Sequence, residues 1–174
     1  MRAWVYKVNT RLSRTTSRGG ATRGRKRPYA WHFNQYFRYR GQPPYDMGGR
    51  AWIRSPMSWR HLRRVRRGDL FVCYQTDERK IYGLARAAGP GYESMPGSGI
   101  FDSVDFAPRG LRLENPVDVR HAAARQVFRH VRAFSVPSRG TVHALAADEF
   151  RALLRQLVAF NPKQEGQILQ FAQR

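Results

Sequence analysis

Residues 68–87 read GDLFVCYQTDERKIYGLARA. The run LFVCY is unbroken and apolar. A strand with one wet face alternates, so this one reads as a strand covered on both faces. TDER supplies a turn, and KIYGLARA pairs back as the second strand of a hairpin. Gly83 lies inside that second strand, where a missing side chain marks the close approach of another group.

Upstream, residues 52–67 read WIRSPMSWRHLRRVRR. Ser55 is a good helix N-cap, and Pro56 falls at the first helical position, where its missing N–H costs nothing. Gly68 sits past the end as the stop. At 100° per residue, Trp59, Leu62 and Val65 span one face. Arg60, Arg63, Arg64 and Arg67 cluster on the other, with Trp59 on the border between the two. Residues 4–8 (WVYKV) alternate, with Trp4, Tyr6 and Val8 on one face of a first strand. Residues 29–45 are crowded with aromatics, and a short helix is expected from Trp31 to Tyr39. Residues 10–28 hold seven basic residues, no acid and no aromatic, with repeated Gly, Ser and Thr. That composition buries too little apolar surface to order itself. Two readings stay open for it, a loop that orders on phosphates and a solvated insertion.

Downstream, GPGYESMPGSG (89–99) is a loop, and FDSVDFA and LRL are strand candidates. Residues 115–134 read as a short helix followed by a strand around Phe134. PSRGTVHAL is a turn into a helix over residues 148–159, whose stripe is Phe150, Leu153, Leu154, Leu157 and Val158. Its usual Ser, Thr or Asp cap is missing, because Ala146 and Ala147 stand there. The last residues can add a final helix turn. The sum is an α+β fold: one domain over residues 1–160 with a basic and aromatic insertion at 10–50, and a C-terminal tail or short helix at 161–174. Its centre is a small, strongly curved mixed sheet with helices packed around it.

Charge is the strongest compositional fact. The chain of 174 residues has 32 Lys and Arg against 12 Asp and Glu, a net +20. Residues 1–68 hold 18 of the basic residues and one acid, Asp46, while residues 69–174 hold 14 basic residues and 11 acids. Such asymmetry points to a polyanion, most simply nucleic acid. A GC-rich genome explains the preference for Arg over Lys. It does not explain the missing acids of the first 68 positions. No apolar run reaches the ~20 residues of a membrane span, and the N-terminus does not read as a signal peptide. The single cysteine, Cys73, excludes an internal disulfide framework and suits a reducing compartment. The expected location is the cytoplasm of a bacterium, with nucleoid association left open.

Catalytic chemistry is hard to find. The five histidines lack close ligand spacing, and no second cysteine exists, so no zinc site, other metal or cofactor is expected. Cys73 sits mid-strand and reads as a structural thiol. Asp102 and Asp105 are placed on one strand facing opposite ways, which does not support a metal-dependent nuclease pair. What remains is aromatics among arginines, the usual physics of single-strand or flipped-base binding. Trp31, Phe33, Trp52 and Trp59 can wall a base, and Asn9, Ser55 and Asp105 can contact its polar edge. Any given Trp is more often core than pocket, least so Trp52 in its Gly-rich and Arg-rich context.

The order of these pieces resembles the EVE domain, a member of the PUA-like superfamily related to YTH domains. The matching pieces are WVYKVN, Trp52 ahead of a helix, VRRGDLFVCYQ, KIYGLARA, FDSVDFAP and FSVPSRGTVHALAADEFRAL, over about residues 3–158. The chain departs from the family in residues 10–50, which are longer and more basic, and in IRSPMSW after Trp52. The resemblance implies a curved sheet near a closed barrel and a pocket for a modified base, such as 5-methylcytosine in DNA or modified adenine in RNA. It implies no catalysis. It carries Lys7 and Asn9 to base contacts at the end of the first strand, Trp52 to the aromatic wall and Asp105 to the pocket floor. Local reading adds Trp31, Ser55 and Trp59 to the pocket. The expected phosphate contacts are Arg25, Lys26, Arg27, Arg54, Arg60, Arg63, Arg64 and Arg67. The expected function is a non-catalytic reader of a modified base, most simply cytosine in DNA, that flips the base into an aromatic pocket. A PUA-like module for structured or modified RNA is the alternative. The expected partners are modified DNA first and RNA second, with a nuclease or restriction partner in trans left open and no membrane.

Overall fold

The computed structural model describes residues 2–8, 32–38, 60–93, 95–134 and 142–173, except the side chains of Gln35 and Arg38. A five-stranded sheet forms the centre, in the order β6-β3-β2-β1-β7. Its strands are β1 (Ala3–Val8), β2 (Leu70–Gln75), β3 (Lys80–Arg86), β6 (Leu111–Asp118) and β7 (Val142–Leu145). β1 and β2 run parallel, and every other neighbouring pair is antiparallel. The sheet is therefore mixed, as expected. A parallel pair cannot be joined by a tight turn. The long segment between β1 and β2 makes that crossover and carries α1 (Phe33–Arg38). A small second sheet pairs β4 (Tyr92–Glu93) with β5 (Phe101–Ser103).

Both faces of the central sheet are covered, which explains the unbroken apolar run of β2: all six of its residues are buried. Val5, Leu70, Val72 and Tyr74 point to one face, against α2 (Ala122–Phe128), α3 (Ala147–Phe160) and α4 (Glu165–Gln173). Trp4, Tyr6, Phe71 and Cys73 point to the other, against Phe33 and Tyr36 of α1 and against Leu62, Val65 and Phe106. The two side-chain sets alternate along β1 and β2, as the period of a strand requires. Cys73 is fully buried and burial pushes its thiol up, so it packs as a small apolar side chain.

Several sequence expectations change. The helical turn at residues 60–62 ends at Leu62 rather than running on to Gly68. Tight backbone bonds follow it, Arg64 N to His61 O and Val65 N to Leu62 O. Gly68 has φ +84° and its N–H reaches Ala87 O, so it turns the chain into β2 instead of capping a helix. VHAL, read as part of a turn, is β7, paired antiparallel with β1. No strand forms at Phe134, which lies in a turn. The tail forms a 3-10 turn (Pro162–Gln164) and α4, whose Ile168 and Ala172 are buried in the core. α3 lacks a side-chain cap at Ala146, but Glu149 accepts the Ala146 N–H at 2.8 Å, half of a capping box.

The strand read as LRL continues through Asn115 and Pro116 to Asp118. Proline is tolerated because β6 is an edge. Pairing with β3 jumps there, from Gly83↔Arg112 to Ile81↔Val117. The backbone between those pairs finds partners on the α3–α4 junction instead. Asn115 N donates to Asn161 Oδ1 and Glu114 N to Gln164 Oε1, both at 2.8 Å.

Gly83 shows the close approach expected of it. An added Cβ would meet the Leu111 carbonyl oxygen at its nearest and Phe37 Cζ at 2.5 Å. Gly83→Ala is predicted to destabilise the fold by about 2 kcal/mol, the usual cost of overpacking. Gly89→Ala, with nothing within 4 Å of the new methyl, is predicted to change stability little. Urea unfolding of both variants checks the contrast.

Candidate nucleic-acid interface

The pairing register gives the sheet two chemically different ends. At one end β1 and β2 begin. Asp69 is buried there and accepts three hydrogen bonds, from Arg2 N and Arg66 N at 3.0 Å and from Trp4 Nε1 at 3.1 Å. Arg60, Arg63, Arg64 and Arg67 are all exposed at this end, and so is Arg66, which the sequence reading passed over. Leu62 and Val65 between them are fully buried. The division into an apolar and a basic face holds even though the helix stops early. Arg63 lies over the Phe101 ring at 5.2 Å, and the Arg64 carbonyl accepts a bond from Arg2 at 2.7 Å.

Lys7 lies at the opposite end, where β1 runs out. It pairs laterally with Tyr74, and Val8 pairs with Gln75. Lys7 is the partly buried residue in an otherwise buried strand, and burial lowers its ammonium to about 8. On the other face of this end, His32 Nε2 lies 2.8 Å from Glu78 Oε1, and the Tyr82 hydroxyl donates to Glu78 Oε2. The Asn34 N–H donates to His32 Nδ1 at 2.9 Å, which assigns the ring proton to Nε2 in the neutral form. Burial works to raise the Glu78 carboxyl, but the bonds from Tyr82 and His32 outweigh it and hold it below the usual range. The Thr76 hydroxyl caps the Val8 carbonyl at 2.9 Å. These groups fix the start of α1 to the β2–β3 turn. They were not expected from the sequence, because His32, Glu78 and Tyr82 are brought together only by the crossover.

Asp105 lies at a different level of the sheet from Lys7. It lies beside the Ala87↔Phe106 bridge, with Ala88 N donating to its carbonyl at 2.7 Å and the Tyr92 hydroxyl to its carboxylate at 3.0 Å. Lys7 is level with Ile81 through Tyr74. From Ile81 to Ala88 the chain climbs roughly 20 Å at the rise of a strand. Asp105 is also not on a strand with Asp102, since β5 ends at Ser103. Asn9, Arg25, Lys26, Arg27, Trp31, Trp52, Arg54, Ser55 and Trp59 lie outside the described residues, as does the basic segment 10–28. Among the described residues, no group of three His, Cys, Asp or Glu could hold a metal ion, and no helix is long and apolar enough to cross a membrane.

No protein-family model matches the chain, and no curated protein matches its sequence. Solved structures match it in fold. A protein from Agrobacterium tumefaciens aligns with a TM-score of 0.61 at 15% identity, covering 90% of this chain and 93% of that one. One from Rhodopseudomonas palustris aligns with a TM-score of 0.59 at 22% identity, covering 90% and 92%. Human THYN1 protein, in complex with 5-methylcytosine-containing DNA, aligns with a TM-score of 0.58 at 14% identity, covering 90% and 98%. The chain has the EVE/PUA-like fold that the order of its sequence pieces resembles.

The lowered Lys7 ammonium has a signed consequence for stability. The unfolded chain holds this proton up to about 10.5, the folded chain only up to about 8. Between those values the unfolded state binds more protons, so Lys7 makes the fold more stable as pH rises through that window. Lys7→Met removes a desolvated charge. It is predicted to be more stable than the parent at pH 7, with the gap closing by pH 10, as urea unfolding at the two pH values will read.

Proposed function

We propose that this chain is a non-catalytic reader of a modified base, most simply 5-methylcytosine in DNA, which it takes out of the stack into an aromatic pocket. The observation that carries the reading is the match, over nearly the whole of both chains, to human THYN1 bound to 5-methylcytosine-containing DNA. Charge supports it, since a net +20 suits a phosphate polymer. So does the burial of Cys73, the single cysteine, in the core.

The pocket in this reading belongs at the end of β1. Lys7 stands there with a proton it holds only up to about 8. In sequence, Asn9 follows the strand and Trp31 precedes His32. We assign Trp52, with Trp59 and Ser55, to the wall and edge contacts of the base. A flat ring there gives stacking worth about 1–3 kcal/mol per base. The exposed Arg60, Arg63, Arg64 and Arg67, with Arg54, Arg25, Lys26 and Arg27, serve as phosphate contacts.

The test is a binding panel of duplexes that differ only in the modification of one cytosine or adenine, with a structured RNA as competitor. The parent chain is predicted to prefer a modified duplex. Trp52→Ala is predicted to lose that preference while keeping the affinity for unmodified DNA, because phosphate contacts carry no sequence information. A preference that survives Trp52→Ala overturns the wall assignment. Stronger binding to RNA than to any modified duplex overturns the DNA reading.

A further inference from the structure

Arg79, Arg120, Arg125 and Arg129 line a cleft of about 450 Å³ on the face of the sheet that carries Lys7. Tyr74, Val119, Phe128 and Phe134 form its floor. A shallower hollow of about 410 Å³ continues over α2, sharing Arg120, Arg125 and Arg129. All four arginines are exposed, while the floor is held by edge-on ring contacts, Tyr74 to Phe134 at 4.9 Å and Phe128 to Phe134 at 5.3 Å. The cleft is thus an apolar, rigid base under a rim of guanidinium groups.

Three features of this rim point to an anionic ligand. Arg125, in the last turn of α2, and Arg129, its C-cap, are four residues apart, so two like charges face the cleft side by side. The ion pair described within the cleft lies at one edge, where Arg120 grips Asp118 through two bonds of 2.9 and 2.6 Å. Arg79 occupies the left-handed region at φ +56°, unfavourable for a side chain with a Cβ, and its carbonyl accepts Val119 N–H at 3.0 Å. That bond ties the β2–β3 turn to the β6–α2 turn and holds Arg79 at the rim.

We infer that this cleft is a second phosphate-binding site, which grips the phosphodiester backbone of a nucleic acid next to the base held at the end of β1. Position selects the backbone as the ligand. Tyr74 on the floor is the lateral partner of Lys7, one strand spacing away, about 4.8 Å. The arginines of residues 60–67 gather around the start of β1, so the two groups would meet phosphates at different points along the backbone. Two of the three rings on the floor are largely covered, Tyr74 at 6% and Phe128 at 1% exposure, so the rim rather than the floor makes most of the contact. The guanidinium rim makes the contact, and planar guanidinium groups suit phosphate oxygens.

The inference rests on the reader function for its geometry, and the experiment separates the two. Binding of the full chain to a duplex with one 5-methylcytosine, and to its unmodified twin, is measured across a salt series. The double variant Arg125→Gln, Arg129→Gln is expected to bind both duplexes at least about tenfold more weakly. It should lower the slope of log affinity against log salt by about two, and leave the ratio between duplexes unchanged. Arg79→Gly is the second variant, since glycine adopts this φ without strain; it should act in the same direction, with a slope loss of about one. If both variants keep the parent's affinity and slope, the cleft is not a phosphate site, whatever the parent's preference. If the parent shows no preference between the duplexes and the variants still lose slope, the cleft stands and the reader function falls.

Discussion

One buried carboxylate sets the frame of this molecule. Asp69 receives the N–H of Arg2 at the start of β1, the indole N–H of Trp4 and the N–H of Arg66. Hydrogen bonds to a charged group contribute roughly 1.5–3 kcal/mol each, and more is lost when a buried donor is left alone. The three bonds join β1, β2 and the arginine segment at one point. Gly68 and Asp69 close the same corner onto β3 through bonds to and from Ala87. Two parallel strands have no turn to fix their register, so here a side chain fixes it. The register along the sheet follows from that corner.

With the register fixed, the two ends of the sheet take on different chemistry. The beginning of β1 and β2 carries the exposed arginines over buried Leu62 and Val65. The end of β1 carries a desolvated lysine, a His32–Glu78–Tyr82 cluster on one face and an arginine-rimmed cleft on the other. Charge density alone does not distinguish these ends. Burial does, because a partly buried cation pairs with an anion at lower desolvation cost than a fully hydrated one. The proposed reader places its base at the second end.

Much of the fold was legible in residues 68–87. A run buried on both faces, a polar turn and a strand with one interior glycine predict the β2–β3 hairpin and two covering layers, and all of these are present. The order of pieces also resembled the family whose fold the chain shows. Other features could not be read. VHAL is too short and too mixed to announce a strand, and it gains its place only by pairing with β1. The helix before β2 stops at Leu62 because the chain must bend to bring Asp69 under Trp4, a tertiary demand that periodicity does not carry. The partners of Asp105, Ala88 N–H and the Tyr92 hydroxyl, come from a segment that pattern alone does not fold. The arginine cleft went unread because Arg79, Arg120 and Arg125 come from three separate segments.

The central claim is that nucleic acid meets this protein at the end of β1. Backbone amide chemical shifts, followed by NMR as a duplex containing one 5-methylcytosine is titrated into the labelled chain, test it most directly. The largest changes are expected at Lys7, Thr76, Glu78 and Arg79, with Asp105 and Ala88 unmoved. Changes concentrated at Asp105, Ala88 and Tyr92, with Lys7 and Thr76 unmoved, would contradict it.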